Sequence, residues 1–312
     1  MMPVLLCCLF MSMSVRGWAQ ENDQNPDAEQ EPAAQESARQ RPVSVTGLGE
    51  WALARQYPEQ AVWLNLEDDS RALALFSPEL ETPVRSAVIV LADEGQTADQ
   101  AILGALRQAL SEMGMAAITL GLQAPPGILR SSRLARNVPT PGEPEEGEPE
   151  AGNAPGAERE SVMIDVAAEE DLKQLAEDYR EGVRAVLDAA ATELNERGYQ
   201  QVLVMGIGWS ADYVTEWAIS REQLTGAVWL APKFSPQRLS ALTDLLAADR
   251  NWWLMEIHHS GGEAEKRGRE RGATLARAGV ARYQRQAVPL FLPPRREDAD
   301  RVVGRISARL GK

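Results

Sequence analysis

The chain is predicted to be an α/β protein with a mostly parallel sheet and helices on both faces. Short apolar runs, typical of strands buried on both faces, recur at intervals, as at 87–91 and 202–205. Segments in which apolar residues have helical spacing separate these runs, as at 98–113. Alternation of strands and helices implies a parallel sheet covered on both sides. With 44% hydrophobic residues in 312, the chain can bury a substantial core.

An antiparallel hairpin is predicted to begin the sheet. Both 61–66 and 71–76 have the composition of strands, and the acidic and hydroxyl residues of 67–70 between them favour a turn. Before the hairpin, a short helix over 47–57 is expected to dock Trp51 onto the domain.

The remaining elements alternate between strand and helix. Strands are predicted at 87–91, 115–122, 202–205, 226–230, 252–257 and within 281–292, and helices at 98–113, 166–197, 236–248, 263–278 and 295–310. The segment at about 124–160 breaks this order, because it is rich in Pro, Gly and Glu. Such a composition cannot bury enough surface to offset the entropy of ordering, so a disordered insertion is predicted. The arginines within it, Arg130, Arg133 and Arg136, are expected to be solvated.

The first 19 residues are predicted to be a signal peptide cleaved after Ala19. They contain an apolar core at 4–11, although no Lys or Arg precedes it. Export is therefore expected, with the periplasm as the location. Cleavage would remove Cys7 and Cys8, the only two cysteines, and with them any disulfide, thiolate nucleophile or cysteine metal site. Residues 20–43, which are polar and acidic, are predicted to be a disordered linker.

Charge and hydropathy exclude some partners. A net charge of −14 argues against nucleic acid, because phosphate backbones require clustered Lys and Arg. No transmembrane span is expected in the mature chain, since the apolar run at the N-terminus is shorter than the roughly 20 residues that a spanning helix needs. The expected partner is a small molecule or an envelope protein.

The most informative motif lies at 201–212, where an apolar strand turns into a helix through Gly206-Ile207-Gly208-Trp209-Ser210. A sharp strand-to-helix turn is where α/β enzymes place a nucleophile or a phosphate-binding loop. Glycine suits the backbone of such a turn because it adopts positive φ without strain.

This turn, the hairpin and the strand–helix units together resemble the α/β-hydrolase superfamily. More narrowly, the chain looks like a domain-of-unknown-function family of exported bacterial proteins on that scaffold. The residues that carry the resemblance are 87–91 with the exit 93–95, 115–122 and 203–211. The resemblance covers residues from about 47 to the C-terminus apart from the insertion, and it implies an α/β-hydrolase-like domain at 44–312.

The turn departs from the superfamily's pattern, G-x-S-x-G, at the position that matters most. When Gly206 is laid on the first glycine, Gly208 occupies the place of the nucleophile and Ser210 that of the second glycine. The hydroxyl that would attack a carbonyl is therefore missing. Trp209, which follows the nucleophile position, is expected either to face the cleft or to pack under the insertion.

The other positions that the resemblance implies are also changed. A histidine should follow the last strand, but 289–300 contains none. The acid should follow the strand at 252–257, where Glu263 is the nearest candidate and could equally be a first-turn helix carboxylate. In the loop 92–96, where an oxyanion donor is expected, Asp93 would oppose a developing negative charge. These departures predict loss of hydrolytic chemistry and retention of ligand or partner binding.

An alternative is a serine hydrolase that uses Ser210 with one of the only two histidines, His258 or His259. Asp212 or Glu256 could orient the imidazole. The competing interpretation of Ser210 is a hydroxyl at the start of a helix.

Two further classes of site find little support. The sequence 206–211 also fits the dinucleotide pattern G-x-G-x-x-A, but no acidic residue ends the next strand to hold a ribose. Adjacent histidines diverge on a strand and no cysteine helps them, so neither a metal site nor a cofactor is predicted.

Overall fold

A computed structural model describes residues 48–80, 86–136, 166–221, 224–248 and 252–310. The chain divides into two units, Met1–Val45 and Thr46–Lys312, and all the described residues belong to the second. The predicted signal peptide (1–19), the predicted linker (20–43) and residues 137–160 of the predicted insertion lie outside the described residues.

The strands form one eight-stranded sheet. They are β1 (Ala61–Asn65), β2 (Arg71–Ser77), β3 (Ser86–Leu91), β4 (Ala116–Leu120), β5 (Gln201–Ile207), β6 (Leu224–Leu230), β7 (Trp253–His259) and β8 (Tyr283–Val288). Their order is β1-β2-β4-β3-β5-β6-β7-β8. Strand β2 pairs antiparallel with β1 and β4, and the other pairings are parallel. The predicted mostly parallel sheet with an N-terminal hairpin is confirmed.

Helices fill the connections between the strands. They are α1 (Glu50–Gln56), α2 (Leu103–Glu112), α3 (Gly127–Arg136), α4 (Val166–Glu196), α5 (Ser210–Ile219), α6 (Pro236–Ala248), α7 (Gly262–Arg277) and α8 (Ala299–Leu310). Helix α2 packs against α8, and α4, α5, α6 and α7 form a second series in which each helix contacts the next. The central strands are buried as a result, with Ile89, Ile118 and Val204 fully inaccessible.

Helix α1 is formed, and the Trp51 ring packs on the Trp63 ring of β1 at 4.8 Å, as predicted, although 65% of Trp51 stays exposed. One local prediction needs correction. The insertion predicted to be disordered over 124–160 contains helix α3. The average composition of the whole segment did not reveal a short stretch that packs on the domain through an apolar side chain, Leu129, and a charged one, Arg133.

Parallel pairing brings the carboxyl ends of six strands, β3 to β8, to one edge of the sheet. Leu91 of β3 is paired with Gly206 of β5, and Ile207 with Leu230 of β6. On the far side, His259 of β7 is paired with Val288 of β8. The loops that follow these strands therefore converge, as expected for a ligand site in an open α/β sheet.

Within the described ranges, no helix combines the length and the apolar character needed to cross a membrane.

Candidate functional site

The turn after β5 has the sharp geometry that the motif predicted. The strand ends at Ile207 and α5 begins at Ser210, so only two residues separate them. Gly208 has a φ of +62°, in the left-handed region. A Cβ on Gly206 would lie 2.7 Å from the Ala211 nitrogen, so the helix can begin this close to the strand only above a glycine.

The space beside Gly208 is filled by a carboxylate from the neighbouring strand end. A Cβ on Gly208 would lie 2.4 Å from both Cγ and Oδ2 of Asp93. Asp93 follows β3, which is the parallel neighbour of β5, and it is 8% exposed. The position that would hold a nucleophile is thus occupied by a side chain from another loop.

Three donors hold the Asp93 carboxylate in this position. Its Oδ1 accepts hydrogen bonds from the backbone nitrogens of Trp209, at 2.9 Å, and Glu94, at 3.0 Å. Its Oδ2 accepts a hydrogen bond from Nζ of Lys233 at 2.8 Å. In serine hydrolases with this turn, the oxyanion hole is formed by the N–H after the nucleophile and an N–H from the loop after the equivalent of β3. Trp209 and Glu94 stand at those two positions, and both donate to the chain's own carboxylate.

The Ser210 hydroxyl forms hydrogen bonds with backbone groups of the turn and of β3. The residue is fully buried, and its Oγ accepts a hydrogen bond from the Ile207 nitrogen at 2.7 Å. The same oxygen lies 3.0 Å from the carbonyl oxygen of Leu91 and 2.9 Å from that of Ile207. No hydrogen bond joins Ser210 to His258 or His259, all three of which lie within the described residues.

His258 belongs to a buried network of charged side chains. Its Nε2 is 2.9 Å from Oε2 of Glu265, and its Nδ1 is 3.2 Å from Oε1 of Glu256 without the alignment of a hydrogen bond. Burial alone would lower the pKa of His258, but these two carboxylates outweigh it and raise the pKa above the ordinary value. Glu256 is itself bound by Arg271, with Nη2 at 2.5 Å, and by the Tyr283 hydroxyl at 2.7 Å.

His259 faces a different environment. Its Nδ1 donates to the carbonyl oxygen of Leu290 at 2.5 Å, just beyond the end of β8. The two adjacent rings therefore diverge, as the strand pattern predicted, and they share no partner.

The remaining candidates for the catalytic acid lie elsewhere. Glu263 is exposed in the first turn of α7, which is the helix-terminal alternative considered above, and Glu265 is the residue that reaches His258. Asp212 is bound by Arg180 at 3.1 Å and by Arg238 at 2.8 Å, in an ion-pair cluster on α4, α5 and α6. Of the carboxylates proposed to orient a histidine, only Glu256 lies beside one.

Helix α3 is fastened to the loop that carries Asp93. Nη1 of Arg133 is 2.7 Å from Oε1 of Glu94, and its Nη2 donates to the Tyr213 hydroxyl at 2.8 Å. That hydroxyl donates to Glu94 at 2.7 Å, and burial together with the Glu94 charge raises the pKa of Tyr213. The Arg133 guanidinium also lies over the Trp209 ring, 5.2 Å from its centroid. Arg133 is therefore not solvated as predicted, and Trp209 packs beneath α3.

A cavity of about 880 Å³ opens at this edge of the sheet. Gly208, Trp209 and Asp93 contribute to its lining, as do residues after β6, β7 and β8 and one face of α7. Its volume is within the range of small-molecule sites, about 300–1,000 Å³. Trp209 thus meets both expectations, because it lines the cleft and also packs under part of the insertion.

The structure adds residues that the sequence did not single out. Lys233 and Glu265 have no local motif that distinguishes them from other surface charges. Their roles depend on contacts with Asp93 and His258 across the sheet edge. No group of three or more potential metal ligands occurs among the residues that can be described.

The comparisons with known proteins agree with this architecture. A family model described as "Protein of unknown function (DUF3530)" matches residues 1–230. No curated protein matches the sequence. The esterase domain of a Rhodothermus marinus protein is 12% identical with a TM-score of 0.50, covering 80% of this chain and 97% of its own. An esterase from Pyrococcus furiosus is 8% identical with a TM-score of 0.49, covering 80% and 88%. The likeness to the Rhodothermus marinus domain shows the fold alone.

Proposed function

We propose that this chain, which belongs to the DUF3530 family of proteins of unknown function, is a pseudoenzyme with an α/β-hydrolase fold. It binds a small molecule in its cleft without hydrolysing it. The observation that carries this proposal is the position of Asp93. Its carboxylate lies where a nucleophile's side chain would stand, and it accepts hydrogen bonds from the Trp209 and Glu94 nitrogens.

This arrangement opposes acyl transfer for two physical reasons. A tetrahedral intermediate needs a nucleophile, and glycine at 208 offers none. The intermediate also needs donors aimed at a vacant place for its oxygen anion. Here that place holds a carboxylate, so a second negative charge would meet repulsion at close range.

The cavity supports the binding half of the proposal. It has the volume of a small-molecule site, and its lining combines apolar side chains such as Phe234 and Leu239 with a few polar groups. A small molecule is therefore favoured over an envelope protein as the occupant.

The competing serine-esterase hypothesis is tested on Ser210. We expect p-nitrophenyl acetate to be hydrolysed no faster by the wild type than by Ser210→Ala, because the Ser210 hydroxyl is buried and bonded to backbone groups. Mass spectrometry after treatment with a fluorophosphonate probe provides an independent measurement, since it does not depend on the stability of the variant. An adduct on Ser210 would overturn the proposal in favour of the esterase.

Binding is tested with N-phenyl-1-naphthylamine, a neutral apolar dye that fluoresces in apolar surroundings. Ala264→Phe fills the cavity from α7 and is expected to abolish saturable binding. Ala273→Phe, on an exposed position of the same helix, is the matched control and is expected to bind as the wild type does. Equal binding by both variants would exclude the cleft as the site.

Export to the periplasm is part of the proposal and depends on the signal-like residues 1–19. N-terminal sequencing of the protein from a periplasmic fraction should begin at Gln20. A retained Met1 would contradict export by cleavage.

A further inference from the structure

We propose that the ligand of the cleft is an amphipathic anion, with an apolar body and one carboxylate-like group that Arg267 binds. This inference rests on the binding function proposed above and adds the chemical class of the ligand to it.

The apolar body is matched by the walls of the cavity. Ile102, Trp209, Phe234, Leu239 and Leu292 line it, and they come from five separate segments of the chain. Aromatic and aliphatic walls of this kind bind hydrocarbon surface, which water does not solvate well.

The charges of the lining favour an anion. Lys233, Arg267 and Arg271 supply three positive charges to the cavity, against two negative charges from Asp93 and Glu270. The whole chain has the opposite balance, with 46 acidic and 32 basic side chains. The lining alone therefore carries a small excess of positive charge, which favours an anion over a cation, while Glu256 balances Arg271 from outside the lining.

Of these three cations, Arg267 is the one left available. Arg271 is held by Glu256 behind the wall, and Lys233 is paired with Asp93. Arg267 has no hydrogen bond or ion pair with any other side chain in the described ranges, although Glu270 lies one turn away on the same helix. An arginine at the lip of an apolar cavity can lay its methylene stem along the wall and present five donors to a carboxylate.

Helix α7 presents Arg267 on the face that lines the cavity, where a ligand carboxylate could meet it. Ala264, Arg267, Arg271 and Thr274 all line the cavity, and their spacing of three and four residues puts them on one face of the helix. Ala264, one turn before Arg267, is small and leaves room beside the guanidinium. Lys233, which also lines the cavity, keeps two donors free, because Asp93 occupies one of its three and its side chain is 49% exposed.

The experiment compares two dyes that differ by one anionic group. 8-Anilinonaphthalene-1-sulfonate carries a sulfonate that N-phenyl-1-naphthylamine lacks, so the pair isolates the contribution of the charge. With the full chain, we expect the sulfonate dye to bind more tightly. Arg267→Gln should weaken its affinity about tenfold and leave the neutral dye within about twofold of the wild type. Arg269→Gln, an exposed arginine on the same helix that does not line the cavity, should change neither affinity.

The outcomes separate the inference from the proposed function. If Arg267→Gln leaves the affinity for the sulfonate dye unchanged while Ala264→Phe abolishes binding of the neutral dye, the cleft binds ligands and the anion inference is overturned. If Ala264→Phe changes the binding of neither dye, both proposals fail. Arg267 has no hydrogen bond or ion pair with the part of the chain that the structure describes, so Arg267→Gln should fold normally, and equal melting temperatures for wild type and variant will verify this.

Discussion

At the scale of single residues, the site is defined by one pair. Asp93 and Gly208 lie on neighbouring strand ends, and each determines what the other position can hold. The glycine supplies both the positive φ of the turn and the space for the carboxylate. In return, the carboxylate satisfies the backbone N–H groups of Trp209 and Glu94.

The first prediction follows from this pair. Gly208→Ala should reduce the free energy of unfolding by about 3 kcal/mol, the sum of left-handed backbone strain and overpacking against Asp93. Gly262→Ala separates the two causes, because Gly262 has a similar φ of +57° with nothing near its absent Cβ. It should lose only about 1 kcal/mol. Urea unfolding measures both, and equal losses at the two positions would contradict the clash.

The sequence revealed half of this pair. The spacing of Gly206 and Gly208 after an apolar strand predicted a sharp turn and a missing nucleophile. The charge of Asp93 indicated an unfavourable place for an oxyanion. Spacing along the chain carries no information about which way a side chain points across two strands, so the contact between Asp93 and Gly208 could not be foreseen.

At the scale of elements, helix α3 is held against the loop that carries Asp93 and the turn that carries Trp209. Leu129 is buried, and Arg133, one turn later, reaches Glu94 and Tyr213. Both partners are distant in sequence. Composition suggested disorder for the entire insertion because an average over about 40 residues conceals a ten-residue helix held by long-range contacts.

The second prediction concerns the attachment of this helix. Arg133→Gln removes the charged bonds to Glu94, so amide exchange across α3 should become about tenfold faster. Arg130→Gln is the control, since Arg130 is exposed on the same helix and its side chain has no partner among the described residues. Hydrogen–deuterium exchange read by mass spectrometry measures both. Similar acceleration in the two variants would show that Arg133 is no anchor.

At the scale of the whole molecule, the succession of strands and helices along the chain was the most predictable feature. Apolar runs and helical spacing depend on burial by the sheet as a whole, so they are written into the local sequence. The buried charged network that joins β7, α7 and β8 could not be predicted from the local sequence, because its members meet only in the folded state. They are Glu256, His258, Glu265, Arg271 and Arg285.

The third prediction is a pH dependence of stability that this network produces. His258 faces Glu256 and Glu265, with Nη1 of Arg285 at 3.4 Å, and its folded pKa is raised above 6.5. Its contribution is fully present below pH 6.5 and is lost as the pH rises through the folded value. Hydrogen bonds from Arg285 and His258 lower the pKa of Glu265 from 4.5 to about 2, so that contribution is lost as the pH falls below 4.5.

Stability should therefore be greatest between about pH 4.5 and pH 6.5. Urea unfolding of the wild type from pH 5.5 to pH 8.5 should show a decline that is absent in His258→Gln. His259→Gln should keep the decline, because among the described residues that ring bonds a backbone carbonyl and no side chain. These are the only two histidines, so a decline that persists in His258→Gln would assign the effect to another group.

The mutual dependence of Asp93 and Gly208 also limits the evolutionary paths open to this chain. A serine introduced first at 208 would collide with Asp93 and face an occupied anion hole. A substitution that first removed the Asp93 carboxylate would leave two backbone N–H groups and Lys233 without their acceptor. Each single substitution is therefore expected to lose stability. A serine at 208 would be accommodated only together with a second change at Asp93, and a histidine and an acid would still have to be placed before a triad existed.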